Sequence, residues 1–104
     1  MSDDRTLRER MSDARDALAR IHRGEAPTVE ELAAAPRLDF WGVVEIQDTF
    51  ALVGVVTDHP NLRQGAKIVT STLLWASEDW SAARTVSRFY RLGVPLDGIP
   101  STDA

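Results

Sequence analysis

The sequence predicts an α+β fold, with two N-terminal helices packed on one side of a four-stranded antiparallel sheet that can curl into a small barrel. Two observations predict it. Apolar residues recur at helical spacing in residues 1–36, and from Arg37 onward β-branched and aromatic runs are punctuated by turn residues. At 104 residues the chain makes one domain: a helical part (1–36), a sheet part (37–93) and an irregular tail (94–104).

The first helix rests on Leu7, Met11, Ala14, Leu18 and Ile21, which form one stripe at intervals of four and three. Ser2 or Asp3 can cap its start, and Gly24 sits where a left-handed residue would end it. The stripe either docks on the sheet or pairs with its copy in a homodimer through residues 5–23. In GEAPTVEELAAAP, Thr28 and Glu31 have capping-box spacing, so a short helix runs from Val29 to Ala35 and stops at Pro36.

Phe40, Trp41, Val43, Val44 and Ile46 read as a first strand, Gln47-Asp48-Thr49 as a turn, and Phe50–Val56 as a second strand. Gly54 within it marks a bulge or a close approach of backbone. Asp58–Gly65 is a wide loop, with Gly65 suited to positive φ. Lys67–Ala76 is the third strand and SEDWS a polar turn. Residues 82–92 satisfy both periods. Thr85, Val86 and Ser87 are poor helix residues, which favours a fourth strand paired with the third. Trp41 and Trp75 are expected in the core, and Trp80 in the polar turn is either exposed or folded back.

The net charge of −4 offers no general footprint for a polyanion. It is spread evenly: residues 1–36 and 37–104 each carry six basic and eight acidic side chains. With no cysteine there is neither a disulfide framework nor a thiolate metal site, which suits a reducing cytoplasm, the expected location. MSDDRTLRERMSD is too charged for a signal peptide, and no apolar run approaches the ~20 residues of a membrane span.

Chemical motifs are scarce. Asp58, His59 and Ser71 supply the residue types of a hydrolytic triad, but no G-x-S-x-G elbow is present, and adjacent Asp58 and His59 side chains diverge in extended backbone. His22 and His59 lie in no metal-ligand spacing, and the glycines form no phosphate loop. No catalytic residue, metal or cofactor is therefore expected. The strongest polar constellation is Arg84, Thr85, Ser87, Arg88, Tyr90 and Arg91, with Arg63 and Lys67 near and Trp80 as a further binding candidate. On one continuous strand Arg84, Arg88 and Tyr90 share a face that could hold phosphate and stack on a base. Alternatively these arginines pair with Glu45, Asp48, Glu78 or Asp79. Thr70, Ser71 and Thr72 read as a polar seam bonded to Thr85 and Ser87 across the sheet.

The pattern His59-Pro60, Gly65, Ile68, Thr70-Ser71, Arg84-Thr85, Ser87-Arg88, Tyr90, Leu92-Gly93, together with GEAPTVEELAAAP, resembles an uncharacterised family of short bacterial proteins. Their genes often lie near phage or other mobile-element genes. The resemblance covers residues 15–93 and departs at Asp58, where the family pattern carries glycine. It implies N-terminal helices followed by an antiparallel sheet, with the Thr-Ser strand beside the Arg-Thr-x-Ser-Arg strand. It also implies an accessory or inhibitor role in a mobile element. The expected function is thus a small non-enzymatic module acting on a host protein. The alternative is a nucleic-acid-binding module using the Arg84/Arg88/Tyr90 face, and a hydrolase around His59 is the third reading.

Overall fold

The computed structural model describes residues 5–96 as two helices and a closed five-stranded barrel. Helix α1 is Leu7–His22 and helix α2 is Val29–Ala34. The strands are β1 (Arg37–Ile46), β2 (Thr49–Thr57), β3 (Ala66–Ala76), β4 (Ala82–Thr85) and β5 (Phe89–Leu92). The α+β class, the two helices and the barrel follow the sequence reading, but the strand number does not. Residues 82–92 break into two short strands, so the sheet has five strands rather than four.

Parity explains the closure. Strands of a meander alternate in direction, so the first and fifth run the same way. All neighbouring pairs are antiparallel except β1 with β5, which closes the ring in parallel, Arg37 opposite Arg91 and Leu38 opposite Leu92. Three irregularities supply the curvature. An extra residue enters β1 between Asp39 and Gly42, where Phe40 has φ +51°. The register of β3 shifts twice, opposite Ala51/Val53 and again between Leu73 and Trp75. Each bulge bends its strand and increases its twist.

The Thr70 hydroxyl mends the first of the β3 irregularities. It accepts from the Leu52 amide (3.0 Å) and donates to the Ser71 carbonyl (2.8 Å). The β1–β2 turn at Gln47-Asp48 has positive φ at both positions, as a type I′ hairpin requires. Gly54 is a point of close approach: a Cβ there would lie 2.8 Å from Leu38 Cγ and 2.9 Å from the Asp39 carbonyl. Past β5 the chain continues along the seam. Leu96 N–H donates to the Trp41 carbonyl (2.9 Å), so the expected irregular tail is docked as far as residue 96; its remainder lies outside the described residues.

The core is the barrel interior, formed by Leu38, Trp41, Leu52, Val56, Ala83, Tyr90 and Leu92. Trp41 is 1% exposed, donates its indole N–H to the Gly93 carbonyl (3.0 Å) and stacks on Trp80 at 5.7 Å. Trp80 is thereby folded back on the barrel from its turn. The helices sit outside. Ala17 of α1 and Ala35 after α2 pack on Phe89 in a second, small cluster. The α1 stripe thus docks on the outer face of the sheet and contributes nothing to the main core. Within α1 only Ala14 and Ala17 are buried, while Leu7 and Met11 stay 60% and 51% exposed. A barrel lined by its own strands leaves no interior for the helix to fill.

Both helices begin with capping boxes, Thr6 with Glu9 and Thr28 with Glu31. Thr6 displaces the expected caps Ser2 and Asp3, which lie outside the described residues. Gly24, at φ +75°, follows the α1 C-cap as expected. Arg20 ties the helices together with a bidentate pair to Glu31, at 2.7 and 2.8 Å. The Arg20 hydrogen bond, with help from the Thr28 amide, pulls the Glu31 carboxyl from 4.5 to about 2. A depressed carboxyl contributes stability that is full above its unfolded value and lost as pH falls through its folded one. Glu31→Gln is thus expected to flatten the fall in melting temperature between pH 4.5 and about 2, read by circular dichroism. Superimposable acid limbs for the two chains would show that the pair contributes nothing to acid stability.

Among the described residues no helix is long and apolar enough to cross a membrane.

Candidate functional site

The site is built around the tight connection between β4 and β5, residues 85–88. Thr85 is fully buried and holds the turn. Its hydroxyl accepts from the Ser87 and Arg88 amides (3.2 and 3.3 Å) and donates to the Arg88 carbonyl (3.3 Å), while its own amide donates to that carbonyl at 3.0 Å. A threonine hydroxyl that engages nearby backbone offers the chain an alternative to continuing a strand. Ser87 then projects beside β3. Its amide donates to Ser71 Oγ (3.2 Å), and the two serine hydroxyls lie 3.0 Å apart. The Thr-Ser seam and the Arg-Thr-x-Ser-Arg segment thus meet through one serine pair, and Thr85 serves its own turn.

Four arginines converge on this turn. Arg5 donates to the Ser87 carbonyl (2.6 Å) and pairs with Asp13 (2.6 Å). Arg10 on α1 donates to Ser87 Oγ at 3.2 Å. Arg84 on β4 is 7% exposed and lies over the Phe89 ring, 5.0 Å from its centroid. It also donates a long 3.5 Å bond to the Val86 carbonyl. Arg88 ends the turn. Among the described residues the Nε atoms of Arg10 and Arg84 are buried without a hydrogen-bond partner. Burial, reinforced by Arg5, pushes the Arg84 pKa down, yet guanidinium stays charged at any ordinary pH.

Two cavities adjoin the turn and share Ser87 and Arg88. One, of about 280 Å³, is lined by Arg5, Glu31, Ala35, Arg84 and Phe89 among others. The other, of about 410 Å³, is lined by Arg10, His59, Thr70, Ser71 and Tyr90 among others. The second falls in the size range of small-ligand sites.

The structure brings Arg84, Ser87 and Arg88 together on the first cavity and sets Tyr90 beside Ser87 and Arg88 on the second, while Arg91, Arg63, Lys67 and Trp80 line neither. Tyr90 points into the barrel and is 4% exposed, so its ring offers no stacking face. The turn resets the strand alternation, sending Tyr90 inward while Arg84 stays outside on Phe89. Arg91 donates to the Ala35 carbonyl (2.9 Å) and pairs with Asp58 (3.3 Å), not with the turn acids. Asp79 instead accepts from the Ser77 and Ser81 hydroxyls at 2.8 and 2.7 Å. Arg63 and Lys67 are exposed and line neither cavity, and Trp80 is stacked on Trp41.

Asp58, His59 and Ser71 make no triad. His59 Nδ1 accepts from the Asn61 amide (3.0 Å), Asp58 contacts Arg91 and Gln64, and Ser71 bonds to Ser87. His59 lies by Tyr90 instead, with ring centroids 6.4 Å apart. Among the described residues no cluster of His, Asp and Glu could hold a metal ion. Arg5 and Arg10 escaped the sequence reading. They lie 82 and 77 positions from Ser87, so no local pattern joins them to it.

Fold and site together define a small closed barrel whose β4–β5 turn is clasped by arginines from a helical arm. The chain belongs to DUF6634, a family of unknown function whose model matches residues 7–104. No curated protein and no solved structure matches it.

Proposed function

We propose that the protein is a small non-enzymatic interaction module that grips an acidic feature of a partner protein with its arginine-clasped turn. The observation that carries this reading is the gathering of Arg5, Arg10, Arg84 and Arg88 around two adjoining cavities. They do so in a chain whose net charge is −4. A local cationic site on an acidic molecule suits a compact anionic feature better than a long polyanion. The burial of Tyr90 counts against base stacking, and with it against the nucleic-acid reading. The sequence resemblance supports a particular form of this role, a mobile-element accessory or inhibitor acting on a host protein. Exposed Leu7 and Met11, beside an apolar groove formed with Leu18, Leu74 and Val86, support self-association through residues 5–23 as a companion property.

Affinity capture by the tagged protein from host lysate, with and without nuclease, tests the proposal against an Arg10→Ala/Arg88→Ala variant. The expected result is a stoichiometric, nuclease-resistant protein partner whose capture drops by more than about 10-fold in the variant. A nuclease-sensitive set that dissolves steeply with salt would move the assignment to nucleic acid. A partner captured equally by both chains would remove the arginines from the interface.

A further inference from the structure

The cavity beside Arg84 poses a specific physical problem. Arg84 is 7% exposed, its Nε has no hydrogen-bond partner, and no carboxylate pairs with it among the described residues. The Phe89 face beneath it attracts a cation but accepts no N–H bond in the plane of the guanidinium. A buried charge without a counter-ion is costly, and a native protein usually supplies a partner for it. The one carboxylate lining the cavity, Glu31, is already held bidentately by Arg20. The remaining polar lining is Ser87 and two more guanidiniums, Arg88 and Arg5, of which Arg5 already pairs with Asp13 and donates to the Ser87 carbonyl.

We infer that this cavity is a binding site for a tetrahedral oxyanion of the phosphomonoester type, with Arg84 as its buried anchor. Arg5, Arg84 and Arg88 reach the cavity from three different elements: the segment before α1, strand β4 and the β4–β5 turn. A carboxylate offers two oxygens in one plane. A phosphoryl group offers three or four in separate directions and so matches donors that arrive from several sides. A volume of about 280 Å³ admits such a group with part of whatever carries it. Arg84 is the element that fixes the site, because its ring stack and burial hold the guanidinium in place before any ligand arrives. The inference rests on the interaction reading above in one respect only: there the group is carried by the partner, as a phosphorylated side chain. The site itself requires only the oxyanion.

The test uses the full-length protein and inorganic phosphate, sulfate and acetate, each at constant ionic strength with chloride as the balance. Melting temperature and isothermal titration calorimetry are the readouts. A ligand that binds only the folded state raises the melting temperature with its concentration. Phosphate and sulfate are expected to raise it by about 5 °C when near saturation, and acetate much less. Arg84→Met keeps the length and the apolar stack and removes the charge. It is expected to weaken phosphate binding by about 10-fold or more, the scale of a hydrogen bond to a charged group. Arg88→Gln, at a partly exposed position, is the second variant and should weaken phosphate in the same direction if Arg84→Met disturbs folding. O-phosphoserine should compete with inorganic phosphate where serine does not, which marks a phosphorylated side chain as an acceptable source. The inference is overturned if phosphate causes no shift in the wild-type chain, or if both variants respond as the wild type does. Capture of a partner that depends on Arg10 and Arg88 yet survives excess phosphate would overturn the assignment of the group to a phosphorylated side chain of the partner, while leaving the interaction reading intact.

Discussion

Replacing Trp41 with alanine is expected to lower the melting temperature by about 20 °C or more, the largest effect of any single change in the barrel. Trp41 is 1% exposed at the centre of the core, stacks on Trp80 and bonds to the Gly93 carbonyl. Truncation removes the transfer energy of the indole, opens a cavity in a core of few large side chains, and deprives the half-buried Gly93 carbonyl of its donor. Such deletions cost about 3–5 kcal/mol, against a typical domain stability of about 5–15 kcal/mol. Trp41→Phe keeps much of the volume and loses the hydrogen bond, so it should fall between the two. Urea denaturation followed by circular dichroism measures both. A loss under about 1 kcal/mol in Trp41→Ala would mean that the core is held elsewhere.

The second large effect is expected from Thr85→Val, which preserves shape and removes one hydroxyl. That hydroxyl serves the Ser87 and Arg88 amides and the Arg88 carbonyl in a fully buried position. The Ser87 amide retains Ser71 Oγ, but the Arg88 amide loses this acceptor. A buried donor left without its partner costs about 1–3 kcal/mol, and the part-buried Arg88 amide falls at the lower end, so a fall of about 5–10 °C is expected. The functional consequence is more telling than the stability. The turn places Arg88 relative to Arg84, so the phosphate-linked rise in melting temperature should shrink by more than half. Thr85→Ser, which keeps the hydroxyl, should restore that response even where it loses stability through the missing methyl group. An unchanged phosphate response in Thr85→Val would show that the arginines are positioned by α1 rather than by the turn.

The same hydroxyl explains why the strand count could not be read from the sequence. On one continuous strand Arg84, Val86, Arg88, Tyr90 and Leu92 would face one way and Thr85, Ser87 and Phe89 the other, and a side-chain bond from Thr85 to its own backbone divides that strand. Local chemistry was legible where a short motif carries its own geometry. Thr28 with Glu31 gives a capping box, Gly24 and Gly65 take positive φ, and Gly54 meets Leu38 closely. The α1 stripe was a true amphipathic pattern that docks on the sheet as expected, but on the outer face of the barrel and not in its core. Periodicity reports that a face is apolar, not what covers it, and Leu7 and Met11 remain exposed. At the site, composition singled out Arg84 and Arg88. Tyr90 was misplaced because the unseen turn shifts the alternation that assigned its face. Arg5 and Arg10 reach Ser87 only through tertiary folding, which no spacing rule encodes.

The parallel junction between β1 and β5 also bears on the order of assembly. The four antiparallel pairings join strands that follow one another along the chain, so each closes only a short loop. The fifth joins Arg37 to Arg91, across nearly the whole barrel sequence. Loop-closure entropy favours the local pairings first, and the distant one becomes affordable once they have shortened the path between its ends. The ring therefore behaves as a strip of hairpins fastened by one long-distance latch. Its backbone fasteners include Arg91 N–H to the Pro36 carbonyl, Gly93 N–H to the Leu38 carbonyl, Trp41 N–H to the Val94 carbonyl and Leu96 N–H to the Trp41 carbonyl. Strand β5 carries the latch at one end and adjoins the arginine turn at the other. Anything that grips the turn also steadies the strand that fastens the ring.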